Sequence, residues 1–239
     1  MSSTCSSCST SNRAEAKYCK KCGKPILGDT VASLNGLVGA ESAKKELRLL
    51  VDTVKAMRSR NAKAPIALNM HMIIMGNTGT GKTTFVKVLH ELLRANGVVT
   101  KSGATTIDAA SYDEFAENLS ENLAQAKNSI LCIDNVQKLL PGEYAVNITP
   151  LDKLFSEMDR IGRDPIVVLT GLTSGLSEYL AKNPATLNRF GYVFRLVDLS
   201  AAELLQICMK KIESFGLTVS TADAQGIPTI GTVGVRLAP

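Results

Sequence analysis

Gly76-Asn77-Thr78-Gly79-Thr80-Gly81-Lys82-Thr83 matches G-x-x-x-x-G-K-[ST], the spacing of a loop that wraps phosphate. Before it, Met70 to Met75 is apolar except for His71 and short enough for a buried parallel strand. After it, Phe85, Val88, Leu89, Leu92 and Leu93 fall on one helical face that stops near Gly97. The chemistry needs this order. Glycines let backbone N–H groups curl around phosphate oxygens, and the helix N-terminus adds partial positive charge. Lys82 would reach the β- and γ-phosphates, and the Thr83 hydroxyl would ligate Mg²⁺. Gly76, Asn77, Thr78, Gly79, Thr80, Gly81, Lys82, Thr83 and Thr84 are therefore the expected binding set for a nucleoside triphosphate.

Helix and strand alternate on both sides of this unit. A helix is expected from about Ser42 to Ser59, with Leu47, Leu50, Val51, Val54 and Met57 on one face. A short strand near Thr105–Ala109 leads to Ser111-x-x-Glu114, a capping-box signature, and then Phe115, Leu119 and Leu123 at helical spacing. Ser129 to Asp134 reads as a buried strand. Thr149 and Pro150 open a helix whose stripe is Leu151, Leu154, Phe155, Met158 and Ile161. Ile166–Thr170 and Tyr192–Leu196 are further strands. Five short apolar strands separated by helices predict an α/β fold with a parallel, doubly wound sheet. Ser200-x-x-Glu203 opens one more helix carrying Leu204, Leu205, Cys208, Ile212 and Phe215, ended by Gly216. After Gln225 the periodicity dissolves.

A phosphate-binding loop that works on a triphosphate needs a second group on Mg²⁺ and another to orient or deprotonate water. The strand Ile130-Leu131-Cys132-Ile133 ends in Asp134, the expected Mg²⁺-side carboxylate. A strand-terminal Asp can also simply cap the next turn. His71 and His90 have no partner cluster in the sequence, and neither is assigned a role.

Composition bounds the rest. The 239 residues allow one sizeable domain plus a small module. No apolar run approaches the roughly 20 residues that span a bilayer, and no signal-type stretch opens the chain, so a cytoplasmic location without membrane insertion is expected. The net charge is +5, of which +4 lies in residues 1–25, leaving the remainder nearly neutral. That is a weak electrostatic footprint for nucleic acid, which is not an expected partner. Four of the six cysteines form Cys5-x2-Cys8 and Cys19-x2-Cys22. Paired motifs of this kind suit tetrahedral Zn²⁺, with each turn presenting two sulfurs to a metal about 2.3 Å away. Disulfides are disfavoured because nothing marks the chain for export, and a redox pair because the motif occurs twice. Cys132 and Cys208 sit alone on apolar elements and read as small core residues. The expected organisation is a zinc ribbon at 1–25, a linker at 26–35, the nucleotide-binding domain at 36–199 and a helix with an irregular tail at 200–239.

These residues together resemble the CbxX/CfqX branch of the AAA+ ATPases, which includes red-type rubisco activases and ATPases of mycobacterial type VII secretion. The resemblance runs over about residues 34–217. It rests on Leu34-Asn35-Gly36-Leu37-Val38-Gly39, Gly76–Thr84, Cys132–Asp134 and Asn183-Pro184-x-x-Leu187-x-Arg189-Phe190. It implies ATP with Mg²⁺ as ligands and a homo-oligomeric ring. Val38 and Gly39 match the segment that contacts adenine, and Thr170 falls where the sensor-1 strand ends. Arg189 matches the arginine that reaches a neighbouring subunit's γ-phosphate, although a surface ion pair is the alternative. Lys82, Asp134, Asn135, Thr170 and Arg189 form the expected catalytic set. Asn135 stands where many such ATPases carry Glu; it can accept from water but cannot take its proton. Losing a positioned general base costs ~10²–10⁴-fold in rate, so nucleotide binding is better supported than hydrolysis. Glu143 is a nearby carboxylate that could substitute. The pore-loop segment reads Tyr112-Asp113-Glu114-Phe115-Ala116-Glu117 and lacks its glycine. The lid and its sensor-2 arginine should follow residue 217, where about 22 residues with Arg236 remain, so a truncated lid is expected.

Three readings remain open on the sequence. The first is an ATP-driven remodeller whose zinc ribbon recruits a protein client. The second is a nucleotide-gated binding module with little hydrolysis. A clamp-loader-type nucleic-acid ATPase is the third, and the near-neutral main domain argues against it.

Overall fold

Met72–Gly76 (β3) shows why the chain layers as it does. Met72 and Ile74 point into one hydrophobic core, Ile73 and Met75 into another, and none of the four is exposed. The same alternation runs through Ile130–Asp134 (β5) and Ile166–Gly171 (β6), so the sheet is covered on both faces, as parallel sheets require. The structure is a computed structural model and describes residues 2–4, 10–13, 19–21, 34–60, 68–109, 112–140 and 150–216.

Ser2–Thr4 (β1) and Ser11–Arg13 (β2) pair antiparallel in a small separate sheet. The main sheet has the order β4-β5-β6-β3-β7, with Thr105–Asp108 as β4 and Tyr192–Leu196 as β7, and every pairing is parallel. Glu41–Arg60 (α1) and Lys82–Ala95 (α2) fill one face through Leu47, Leu50, Val54, Phe85 and Leu89. Phe85 meets Phe194 of β7 with ring centroids 5.2 Å apart, a contact that adds to its area burial. Tyr112–Gln125 (α3), Pro150–Ile161 (α4) and Thr173–Lys182 (α5) fill the other face through Leu119, Leu154, Met158 and Leu176. The five expected strands are all present, and their bounds shift by a residue or two. Leu34, at the end of the expected linker, packs in the first core. The pore-loop-like segment from Tyr112 to Glu117 lies within α3.

Because α2 leaves β3 over one face and α5 leaves β6 over the other, the neighbouring strands β3 and β6 form a topological switch point. A crevice opens at the carboxyl ends of such a pair, and ligands bind there. His71 fixes the opposite end of β3. Its Nδ1 accepts the Val167 N–H at 3.0 Å, so the ring is the tautomer whose Nε2–H donates to the Gly162 carbonyl at 2.9 Å.

Leu199–Pro239 forms a second compact unit, of which Ala201–Ser214 (α7) is the described element. The expected capping box is present: Ser200 Oγ accepts the Glu203 N–H while the Glu203 carboxylate accepts the Ser200 N–H. One expectation fails here. Leu204, Leu205 and Phe215 are exposed, and so is Cys208, which is no core residue. A helical apolar stripe is buried only when an element packs on it, and no other described element belongs to this unit. No helix among the described residues is long and apolar enough to cross a membrane.

Candidate functional site

The loop from Gly76 to Lys82 lies at the switch point. Gly79 and Gly81 both adopt φ +85°, the left-handed region open to glycine, and nothing lies within 4 Å of where a Cβ on either would project. Gly76 is the opposite case: a Cβ there would collide with Thr80 Oγ1 and the Leu196 backbone. Thr80 Oγ1 donates to the Asn77 carbonyl at 2.9 Å and braces the turn. Gly81 precedes α2 with no side-chain cap, so no side chain occupies the first N–H groups of that helix. Lys82 Nζ donates to the Gly76 and Asn77 carbonyls at 2.8 and 2.9 Å, holding its charge across the loop. Asn77, Thr78, Thr83 and Thr84 are exposed. An open cradle of amides with a tethered ammonium and the exposed Thr83 beside it fits a triphosphate and its cation.

The carboxylate side of the site is built by β5 and β6. Asp134 ends β5, and Thr170 in β6 donates its hydroxyl to Asp134 Oδ1. The same oxygen accepts the Asn135 N–H at 2.9 Å. Thr170 is buried, Asp134 only partly, so one oxygen is fixed while the carboxylate reaches solvent. Cys132, two residues before, is a core residue as expected. Burial, with the Asp134 charge adding to it, pushes its thiol up to about 12, so it is neither ligand nor nucleophile at neutral pH.

Asn135 is in the left-handed region at φ 58°, a conformation that Asn tolerates better than most residues. Its Nδ2 donates to Asp108 Oδ1 at 3.1 Å. Val38 and Gly39 precede α1; Gly39 is buried at φ 71° and Val38 half-buried. Asn77 Nδ2 donates to both carboxylate oxygens of Asp198, each at 3.0 Å, tying the loop to the segment after β7.

Residues 72–196, from the first residue of β3 to the last of β7, match the family model described as ATPase family associated with various cellular activities (AAA). The chain belongs to the AAA family. Among curated relatives, this AAA chain is 24% identical over 218 residues to stage V sporulation protein K of Bacillus subtilis, covering 85% of the chain and 67% of that protein. It is 29% identical over 183 residues to the chromosomal CbxX protein of Cupriavidus necator, covering 72% of the chain and 57% of the relative. These relatives support the CbxX-type resemblance, and the chain spans little more than half of CbxX itself. Among solved structures, the Thermotoga maritima RuvB Holliday junction branch migration motor superposes with a TM-score of 0.54 at 19% identity, over 79% of this chain and 55% of that one. That likeness speaks for the fold.

The candidate site gathers Gly76–Thr84, Asp134, Asn135 and Thr170 along the carboxyl edge of the sheet. Arg189 is not among them. It follows Pro184–Leu187 (α6) and precedes β7, which places it at the opposite edge. Its Nη2 donates to Asp159 Oδ2 at 2.9 Å, its guanidinium lies 5.2 Å from the Phe155 ring centre, and its carbonyl accepts from Asn69 Nδ2. The ion-pair alternative is thus realised within the chain. Cys5, Cys8, Cys22, Glu143 and Arg236 lie outside the described residues; of the four expected zinc ligands only Cys19 is described. Sequence reading missed Asp108, Asp198 and Asp159. For Asp108 a signal existed: Thr105-Thr106-Ile107-Asp108 ends on Ile-Asp, as β5 does.

Proposed function

We propose that this chain binds ATP with Mg²⁺ at Gly76–Thr84 and, as a homo-oligomeric ring, hydrolyses it slowly to remodel a protein client. The observation that carries the reading is the open, left-handed glycine loop with Lys82 bridging it, on the same sheet edge as the Asp134–Thr170 pair. Lys82 and the α2 N-terminus hold the phosphates, and Val38 and Gly39 face adenine. Thr83 and Asp134 would hold Mg²⁺, which when bound neutralises phosphate charge in the transition state. Thr170 keeps one Asp134 oxygen oriented. Arg189 acts only in trans, on a nucleotide held by another copy, after leaving Asp159. Exposed ion pairs are worth about 0–1 kcal/mol, so that exchange is accessible.

The N-terminal residues are read as a zinc ribbon held by Cys5, Cys8, Cys19 and Cys22, and as the client-recruiting module. Cys19 supports this: it is buried, and its Sγ accepts the Lys21 N–H at 3.4 Å and Asn12 Nδ2 at 3.7 Å. N–H donors of this kind stabilise a ligating thiolate. The location is read as cytoplasmic.

Steady-state phosphate release as a function of protein concentration tests the proposal. Turnover should be slow, rise with concentration as subunits assemble, and vanish in Lys82→Ala and Arg189→Ala. Tight ATP binding with no release at any concentration would instead establish the nucleotide-gated binding module.

A further inference from the structure

Parallel pairing of β4 and β5 places Asp108 directly beside Asp134, so two carboxylates end neighbouring strands at the nucleotide edge. Asn135 follows Asp134 in the left-handed region, and its side-chain amide donates to Asp108 Oδ1 at 3.1 Å. Lys138 Nζ lies 4.0 Å from the same oxygen. An ionised carboxylate can only accept, so the amide must present its NH₂ to Asp108. Its oxygen is therefore left to accept from another donor. Asn135 directly follows Asp134 at the carboxyl end of β5, the sheet edge that also carries the phosphate loop. No described residue donates to Asn135 Oδ1.

We propose that Asp108 is a positioning residue for ATP hydrolysis, locking the Asn135 amide so that its oxygen accepts a hydrogen bond from the attacking water. This rests on the hydrolytic reading above and supplies a route to slow turnover for a site without a carboxylate at 135. The water oxygen bonds to the γ-phosphorus as the bond to the β–γ bridging oxygen breaks. ADP leaves with that electron pair, and the water's proton passes to the released phosphate, since an amide oxygen cannot retain it. Side-chain amides serve this orienting role in other phosphate-transferring enzymes.

The test is phosphate release and fluorescent-ATP binding for wild type, Asp108→Ala, Asp108→Asn, Asn135→Ala and the double alanine variant. Asp108→Ala and Asn135→Ala should each lower kcat about tenfold or more while ATP affinity stays within about twofold. The double variant should be no slower than either single, because both act through one amide. Asp108→Asn keeps an acceptor oxygen for Asn135 and should retain most of the turnover. ATP binding by each variant is the control for folding. An unchanged kcat in Asp108→Ala, with wild type active, overturns this proposal alone. Loss in Asp108→Asn equal to that in Asp108→Ala also overturns it, making Asp108 itself the base. A wild type that binds ATP but releases no phosphate above Lys82→Ala overturns the hydrolytic reading and this proposal together.

Discussion

Protonating His71 would set a new N–H at Nδ1 against the Val167 N–H that it now accepts. Burial already holds its pKa below the ordinary value, and the Gly162 carbonyl only partly offsets this. His90, whose Nε2 lies 3.1 Å from the Lys101 carbonyl and 3.2 Å from Ser129 Oγ, is depressed by burial in the same direction. For a base with a depressed folded pKa, the unfolded chain binds the proton first. The stabilisation is therefore complete above about pH 6.5 and declines as pH falls toward the folded values. Denaturant midpoints should drop between pH 7.5 and 5.5, and His71→Gln should show a shallower drop from a lower starting point. A midpoint independent of pH in wild type would contradict this. Alkylation with iodoacetamide at pH 7 should label Cys208 and spare Cys132, since one thiol is exposed and the other is buried with its pKa near 12. Mass spectrometry of the intact native protein reads the difference.

Elements were legible in the sequence where burial is two-sided. Three apolar runs gave β3, β5 and β6 because Ile73, Met75, Val167 and their neighbours are buried on both faces, and continuous apolarity signals that, whereas the edge strands β4 and β7 are partly exposed. Helix α7 was legible as a helix but not in its burial. Its capping box is local, whereas covering of Leu204 and Cys208 depends on what packs against it. The loop glycines were readable from spacing. The Asn135–Asp108 bond was not, because strand order, which brings residues 27 positions apart together, is a property of the sheet. Strand approach supplies its own prediction. Gly191 enters β7 with its N–H donated to the His71 carbonyl at 2.9 Å, and a Cβ there would run into the Asn69 carbonyl. Gly191→Ala should destabilise by about 1–3 kcal/mol, the usual range for overfilled sites. Chemical denaturation checks it, and a loss within about 0.5 kcal/mol would mean the β3–β7 ends are looser than described.

At the scale of the molecule, the account assigns separable tasks to separate parts. Metal analysis of freshly purified protein should find close to one Zn²⁺ per chain. Cys19→Ser should lose it while Mg²⁺-ATP binding persists, because the loop and the β5–β6 carboxylate edge draw no residue from the first 25. Zinc below about half an equivalent in wild type would remove the ribbon from the account. All else depends on the loop between β3 and α2 being a working triphosphate site. Titration of Mg²⁺ and fluorescent ATP into wild type and Lys82→Ala measures that directly. The account predicts saturable binding to wild type, weakened in Lys82→Ala by more than about tenfold, or 1.4 kcal/mol. Equal binding by the two proteins would contradict it.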